Sequence, residues 1–413
     1  MIHRLKADAE AVIKASIEAV QPDDAVRRAL RHFHPGTGRT LLVAVGKAAW
    51  QMAKAAVDVL GRVDEGIVIT KYDHVKGPLP GILCREAGHP IPDENGVRAT
   101  EDAIAMVSGL RSEDAVLFLL SGGGSALFES PLIPMEELQD ITAQLLARSA
   151  DIVEINTVRK RLSAVKGGRF AQLCAPAQVF SIVLSDVLGD PLDMIASGPA
   201  YPDSSTCRQA LAIADKYELS LSETARSLLS RETPKELSNV ITHITGSVRE
   251  LCRAAGDACE SLGYTPVILT DRLCCQAKEA GAFLASIART HTRDNRSQAF
   301  IAGGETVVQL TGTGKGGRNQ ELALSAAAGI DGLENVLIFS LGSDGTDGPT
   351  DAAGGMVDGT TAASLARQGI SIHRTLQNND AYHALSAVNG LIFTGPTGTN
   401  VNDVSVVLIR SME

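Results

Sequence analysis

The residues able to do chemistry lie mostly in glycine-rich stretches that follow apolar runs. Ser121-Gly122-Gly123-Gly124-Ser125 comes straight after Ala115-Val116-Leu117-Phe118-Leu119-Leu120. Consecutive glycines let backbone N–H groups converge on an anion, because no side chain holds the backbone away from it. A sharp turn is the alternative, but a plain turn rarely uses three glycines flanked by two serines. Gly46-Lys47 follows Thr40-Leu41-Leu42-Val43-Ala44-Val45. A lysine there reaches phosphate oxygens beside a helix start. Ala48, however, stands where a Walker A loop has Ser or Thr, and a solvated lysine after a tight turn explains the pair equally well. In Thr311-Gly312-Thr313-Gly314-Lys315-Gly316-Gly317-Arg318, glycines 312, 314 and 317 satisfy GxGxxG, with Thr306-Val307-Val308-Gln309-Leu310 as the strand expected before them. A dinucleotide fingerprint also wants an acid about 20 residues on, ending the next strand, and Asp344 comes late for that role. Lys315, Gly316, Gly317 and Arg318 suit phosphate better, the planar fork of Arg318 matching phosphoryl oxygens.

Carboxylates complete the set. Asp186 ends the run Gln178-Val179-Phe180-Ser181-Ile182-Val183-Leu184, and Asp190 follows in a Gly-Asp-Pro turn. Either can hold Mg²⁺ or accept a substrate hydroxyl proton, and they are the favoured metal ligands. An ordinary turn role is the competing reading for Asp190. Glu305 follows two glycines. Asp344 and Asp347 lie in Ser343-Asp344-Gly345-Thr346-Asp347-Gly348, placed to meet metal or hydroxyls, and Asp351 is expected to cap a following helix. Arg159 and Lys166 belong to a run holding five cations, which is either a solvated face or, through Lys166-Gly167-Gly168-Arg169, an anion site. His89, before a proline, is read as structural.

Near-continuous apolar runs alternate with helical patterns along the chain. That rhythm belongs to an α/β fold whose parallel strands are covered on both faces. Ligands are then expected beyond the carboxyl ends of the strands. A polar, proline-containing stretch near residues 231–239 divides the chain into residues 1–238 and 239–413. The 413 residues allow two full cores. A net charge of −10 and 4% aromatics argue against nucleic acid. Seven scattered cysteines without CxxC spacing support neither zinc nor disulfides, and point to a reducing compartment. No signal peptide or membrane-length apolar run is present, so the chain reads as cytoplasmic. A homo-oligomer is compatible with the sequence, which does not set the state.

Anion loops, strand-end aspartates and cations beside glycines describe phosphoryl transfer, which is largely positioning and charge neutralisation. Because the loops lie in both halves, the site is expected in a cleft between the two domains. Val43-Ala44-Val45-Gly46-Lys47-Ala48, Gly88-His89-Pro90-Ile91-Pro92-Asp93, Ser121-Gly122-Gly123-Gly124-Ser125, Arg159-Lys160-Arg161-Leu162-Ser163, Ser185-Asp186-Val187-Leu188-Gly189-Asp190, Gly303-Gly304-Glu305-Thr306 and Gly316-Gly317-Arg318-Asn319-Gln320-Glu321 together resemble the class II glycerate kinases. The resemblance runs in order along almost the whole chain. It implies a Rossmann-like first domain, a second α/β domain of the MOFRL type, and ATP- and Mg²⁺-dependent phosphorylation of D-glycerate at its 2-hydroxyl. It also implies that Lys47 and Arg318 are catalytic. The alternatives are an NAD(P)H-dependent hydroxypyruvate reductase, which GxGxxG favours weakly, and a non-catalytic phosphometabolite-binding protein.

Overall fold

The computed structural model describes residues 1–411 other than 186 and 190. Its contacts divide them into two compact units, residues 22–245 and residues 1–21 with 246–413.

In the first unit, six strands carry the alternation through: β1 (Thr40–Val45), β2 (Glu65–Lys71), β3 (Ile82–Ala87), β4 (Ala115–Leu120), β5 (Gln178–Leu184) and β6 (Val240–Gly246). They are ordered β3-β2-β1-β4-β5-β6, and β1 runs parallel to β2 and β4, as β2 does to β3 and β4 to β5. Successive side chains of a strand point to opposite faces. Leu41, Val43 and Val45 accordingly pack in one core with Ala99 and Ala103, while Leu42 and Ala44 pack in another with Met52, Ala53 and Ala56. Both faces are buried, hence the unbroken apolar runs. The strand order is that of a Rossmann-like doubly wound sheet, and it reverses between β1 and β4, where such sheets bind ligands at their carboxyl ends.

The second unit holds β7 (Thr265–Leu273), β8 (Gln298–Gly304), β9 (Val336–Gly342), β10 (Gly354–Asp358), β11 (Leu391–Ile392) and β12 (Asp403–Ile409), ordered β11-β10-β9-β12-β8-β7. This sheet is mixed: β7 and β8 are parallel, but β12 inserts antiparallel between β8 and β9. The strand expected at residues 306–310 is absent, and Val307 makes only an isolated bridge with Gln276. Val307 and Leu310 are largely exposed and have no layer to pack against. The place beside β8 goes instead to β12, a strand from the far end of the chain.

The units differ from the division expected at residue 238 in two ways. β6 joins the first sheet, and helix Ile2–Ala19 packs with the second unit. Leu5, Ala9, Val12 and Ile13 form the buried stripe of that helix. Asp8 on the same helix accepts from the Tyr264 hydroxyl at 2.6 Å and pairs with Arg410. Replacing Asp8 by Ala leaves the Arg410 guanidinium without its carboxylate and the Tyr264 hydroxyl with only its 3.3 Å contact to Arg410, and should cost about 2–3 kcal/mol. Urea denaturation checks the magnitude, and amide exchange should show Leu5–Ser16 opening ahead of the strands.

Candidate active site

The register Val45↔Leu120 sets the loop after β1 beside the loop after β4. Gly46 has φ +116°, and a Cβ there would lie 2.3 Å from the Ser121 hydroxyl oxygen, so only glycine fits. The close approach is then stitched by hydrogen bonds. The Lys47 amide donates to the Gly122 carbonyl at 2.9 Å, and the Ala48 amide donates to Ser121 Oγ at 3.1 Å. Gly123, with φ +87°, is the second forced glycine. A Cβ on it would come within 3.0 Å of the His89 ring and 3.3 Å of Lys47 Cε. The Lys47 side chain therefore lies along the glycine loop, and His89, read as structural, is a neighbour of both. Burial, then the Lys47 charge, pulls the His89 pKa below the usual histidine value.

Arg159 and Lys166 face inward. Lys166 is fully buried; its ammonium donates to the carbonyls of Ser125 at 2.9 Å and Phe128 at 2.8 Å and pairs with Glu129 at 3.2 Å. Burial pulls its pKa down to about 8, against the opposing pull of Glu129. Arg159 donates to the same Ser125 carbonyl at 3.1 Å and to Glu129 at 3.3 Å. The rest of the basic run is equally committed: Lys160 and Arg161 share Asp203, and Arg169 donates to the carbonyls of Lys160 and Ser163. Neither a solvated face nor an open anion site describes this run, because internal acids and carbonyls take up its cations. The two cations nearest the glycine loop brace it from behind.

In the second unit, antiparallel β12 brings Asp403 level with Gly304 and Gly342, at the carboxyl ends of β8 and β9. There it meets Arg318, the first residue of helix Arg318–Gly329. Nε and Nη2 of Arg318 donate to the two Asp403 oxygens at 2.5 and 2.9 Å, and Nη1 donates to Glu305 at 3.0 Å. Burial opposes the charge, but the Asp403 hydrogen bonds together with the charges of Asp403, Glu305 and Asp347 outweigh it and raise the guanidinium pKa. Asp347 is a helix-start acceptor, taking the amides of Asn319 at 3.1 Å and Gln320 at 2.8 Å. A Cβ on Gly317 would fall 2.3 Å from that carboxyl, and Gly316 leads into it. Asp344, partly exposed, accepts from the Thr346 amide. Lys315 lies over the Tyr382 ring at 4.4 Å. Asp351 accepts from the Tyr382 hydroxyl and precedes strand β10, not a helix.

GxGxxG at 312–317 serves chain packing. A Cβ on Gly312 would lie 2.4 Å from Asn378 Cα, and one on Gly314 would lie 2.5 Å from the Asn378 carbonyl. No strand runs straight into these glycines, so they are not a dinucleotide fingerprint. The favoured metal ligands, Asp186 and Asp190, lie outside the described residues. Among the described residues no group of three or more His, Cys, Asp or Glu is arranged to hold a metal, and no helix is long and apolar enough to cross a membrane. The loop at 121–125 is closely packed as well: a Cβ on Gly124 would fall 2.6 Å from the Ala196 Cβ, as one on Gly123 would meet His89 and Lys47. Asp403 and Glu129 escaped the sequence reading. Asp403 is the first residue of the otherwise apolar β12, and Glu129 is a single acid after the glycine loop, so neither carries a local signal.

Residues 8–230 match the family described as a domain of unknown function, DUF4147, and residues 298–403 match the MOFRL family. A D-glycerate 2-kinase of Thermotoga maritima is 52% identical over 412 residues, covering 98% of each chain. A crystal structure of a glycerate kinase from Thermotoga maritima superposes with a TM-score of 0.95 at 51% identity, covering 98% of this chain and all of the other. An Agrobacterium vitis relative, provisionally named a hydroxypyruvate reductase, is 39% identical over 386 residues, covering 90% of this chain and 87% of its own.

Asp347 yields a pH-dependent test of this arrangement. Burial pushes its carboxyl up to about 6, against the amides that pull it down. Between about pH 4 and 6 the folded chain holds a proton that an unfolded aspartate has released, so this group's contribution falls as pH rises through that window, by on the order of 3 kcal/mol. Urea midpoints for wild type and Asp347→Asn at pH 4.5, 5.5 and 6.5 should differ in slope, the variant lacking the decline.

Proposed function

The chain belongs to the glycerate kinase family that joins DUF4147 and MOFRL regions, and from that premise we propose that it transfers the γ-phosphoryl group of ATP to the 2-hydroxyl of D-glycerate, giving 2-phosphoglycerate. The observation that carries the reading is the lysine laid along a three-glycine loop at the point where the sheet order reverses. Phosphoryl transfer needs little covalent help from the protein and much positioning and neutralisation. Gly122, Gly123 and Gly124, between Ser121 and Ser125, would cradle the nucleotide phosphates. Lys47 would neutralise charge on the transferring group, and Arg318 is proposed for the same role. Lys315, Gly316 and Gly317 would belong to the phosphate-binding set around it. Mg²⁺, when bound with ATP, would supply further neutralisation, with Asp186 and Asp190 as the ligands proposed. The reading includes a cytoplasmic location.

Arg159, Lys166 and Asp347 would hold supporting positions, since Arg159 and Lys166 share the Ser125 carbonyl and Glu129, and Asp347 takes the Asn319 and Gln320 amides. Asp344, partly exposed, is the carboxylate proposed to meet substrate, while the half-exposed Glu305 stands beside Arg318 with its oxygens on Arg318 and Asn402. The reductase name carried by two Agrobacterium vitis relatives would call for a dinucleotide crevice. The packed glycines at 312 and 314 give it no support.

Incubation with D-glycerate, ATP and Mg²⁺, followed by phosphorus NMR, should yield 2-phosphoglycerate. Oxidation of NADH or NADPH by hydroxypyruvate in a parallel tube, with the first inert, would replace the kinase reading. Lys47→Ala and Arg318→Ala should each lower kcat by about 10²–10⁴ with melting curves like wild type for Lys47→Ala. Near-wild-type turnover in both would remove them from the mechanism.

A further inference from the structure

The guanidinium assigned to charge neutralisation is itself over-neutralised. Arg318 carries one positive charge and faces two carboxylates, Asp403 and Glu305, so the trio sums to −1. An incoming oxyanion would meet a net repulsion unless one carboxylate gives way. The two are held very differently. Asp403 takes two of the five guanidinium hydrogens in a bidentate pair, is 7% exposed, and sits on a strand fixed on both sides by Gly304 and Gly342. Glu305 takes one hydrogen through one oxygen at 3.0 Å, is 46% exposed, and has its other oxygen on the Asn402 side-chain amide at 3.1 Å. A bidentate buried pair keeps its geometry, whereas a single half-exposed contact exchanges readily with solvent.

We propose that these carboxylates have opposite roles: Asp403 is a positioning residue that fixes the Arg318 guanidinium, and Glu305 holds the place of the substrate's oxyanion and leaves when it arrives. The inference rests on the reading of Arg318 as the group that meets transferred charge. With Glu305 gone, Arg318 and Asp403 form a neutral pair, and three N–H hydrogens, two on Nη1 and one on Nη2, are free for an oxyanion. Phosphate and carboxylate share the planar pair of acceptor oxygens that suits this fork, so both the phosphoryl group and the carboxylate of glycerate are candidates for the place.

The test is calorimetric titration of the full chain with inorganic phosphate in one arm and D-glycerate in the other, alongside turnover. Glu305→Gln removes the competing charge and keeps the shape. It should lower the Kd for one of the two anions by about fivefold, and the arm that responds identifies the oxyanion. Unchanged or weaker binding in both arms overturns the placeholder role. Asp403→Glu keeps the charge but displaces the guanidinium. Turnover should fall at least about tenfold while Kd for phosphate stays within about threefold and the melting temperature stays near wild type. Wild-type turnover in that variant overturns the positioning role. A wild-type chain that binds these anions yet phosphorylates no glycerate would instead defeat the proposed activity, leaving the binding arms to judge Glu305.

Discussion

Gly46 lacks a side chain because the Ser121 hydroxyl occupies the space where one would be. That single close approach depends on two parallel strands in register and on a backbone conformation barred to other residues. From it follow the hydrogen bond that ties Lys47 to Gly122 and the path of the lysine chain past Gly123. A loop of this kind works only if it does not move. The carbonyls behind it are accordingly held by two cations, Arg159 and Lys166, whose shared counter-ion Glu129 is buried as well.

Charge is handled in the same way in both units. Cations near glycines, which from sequence alone invite an anion, are mostly paired with acids of the chain itself. Burying a charge without a partner is expensive, and the chain avoids this with Asp203, Glu129, Asp403 and Glu305. The exposed half of Glu305 is the exception that matters, because a contact shared with solvent can be exchanged for one with a ligand. Asp347 shows the opposite case. Its carboxyl is spent on the start of helix Arg318–Gly329, and it steadies Arg318 through the backbone.

Much of this was legible in the residues. Two-sided burial writes itself into unbroken apolar runs, so the parallel sheet of the first unit could be read from LLVAV and AVLFLL, and the three-glycine loop after β4 marked its own position. The partners of the charges were not legible. Asp403 reaches Arg318 only because a strand from the far end of the chain inserts antiparallel between β8 and β9, and Glu129 meets Lys166 only in the folded core. Helix Ile2–Ala19 likewise joins the second unit through Asp8, Tyr264 and Arg410, which are remote from one another in sequence. Residue type and short-range spacing determine which groups a chain possesses and which elements present them. Which charges remain available is decided by long-range pairing, and that pairing exists only in the tertiary structure.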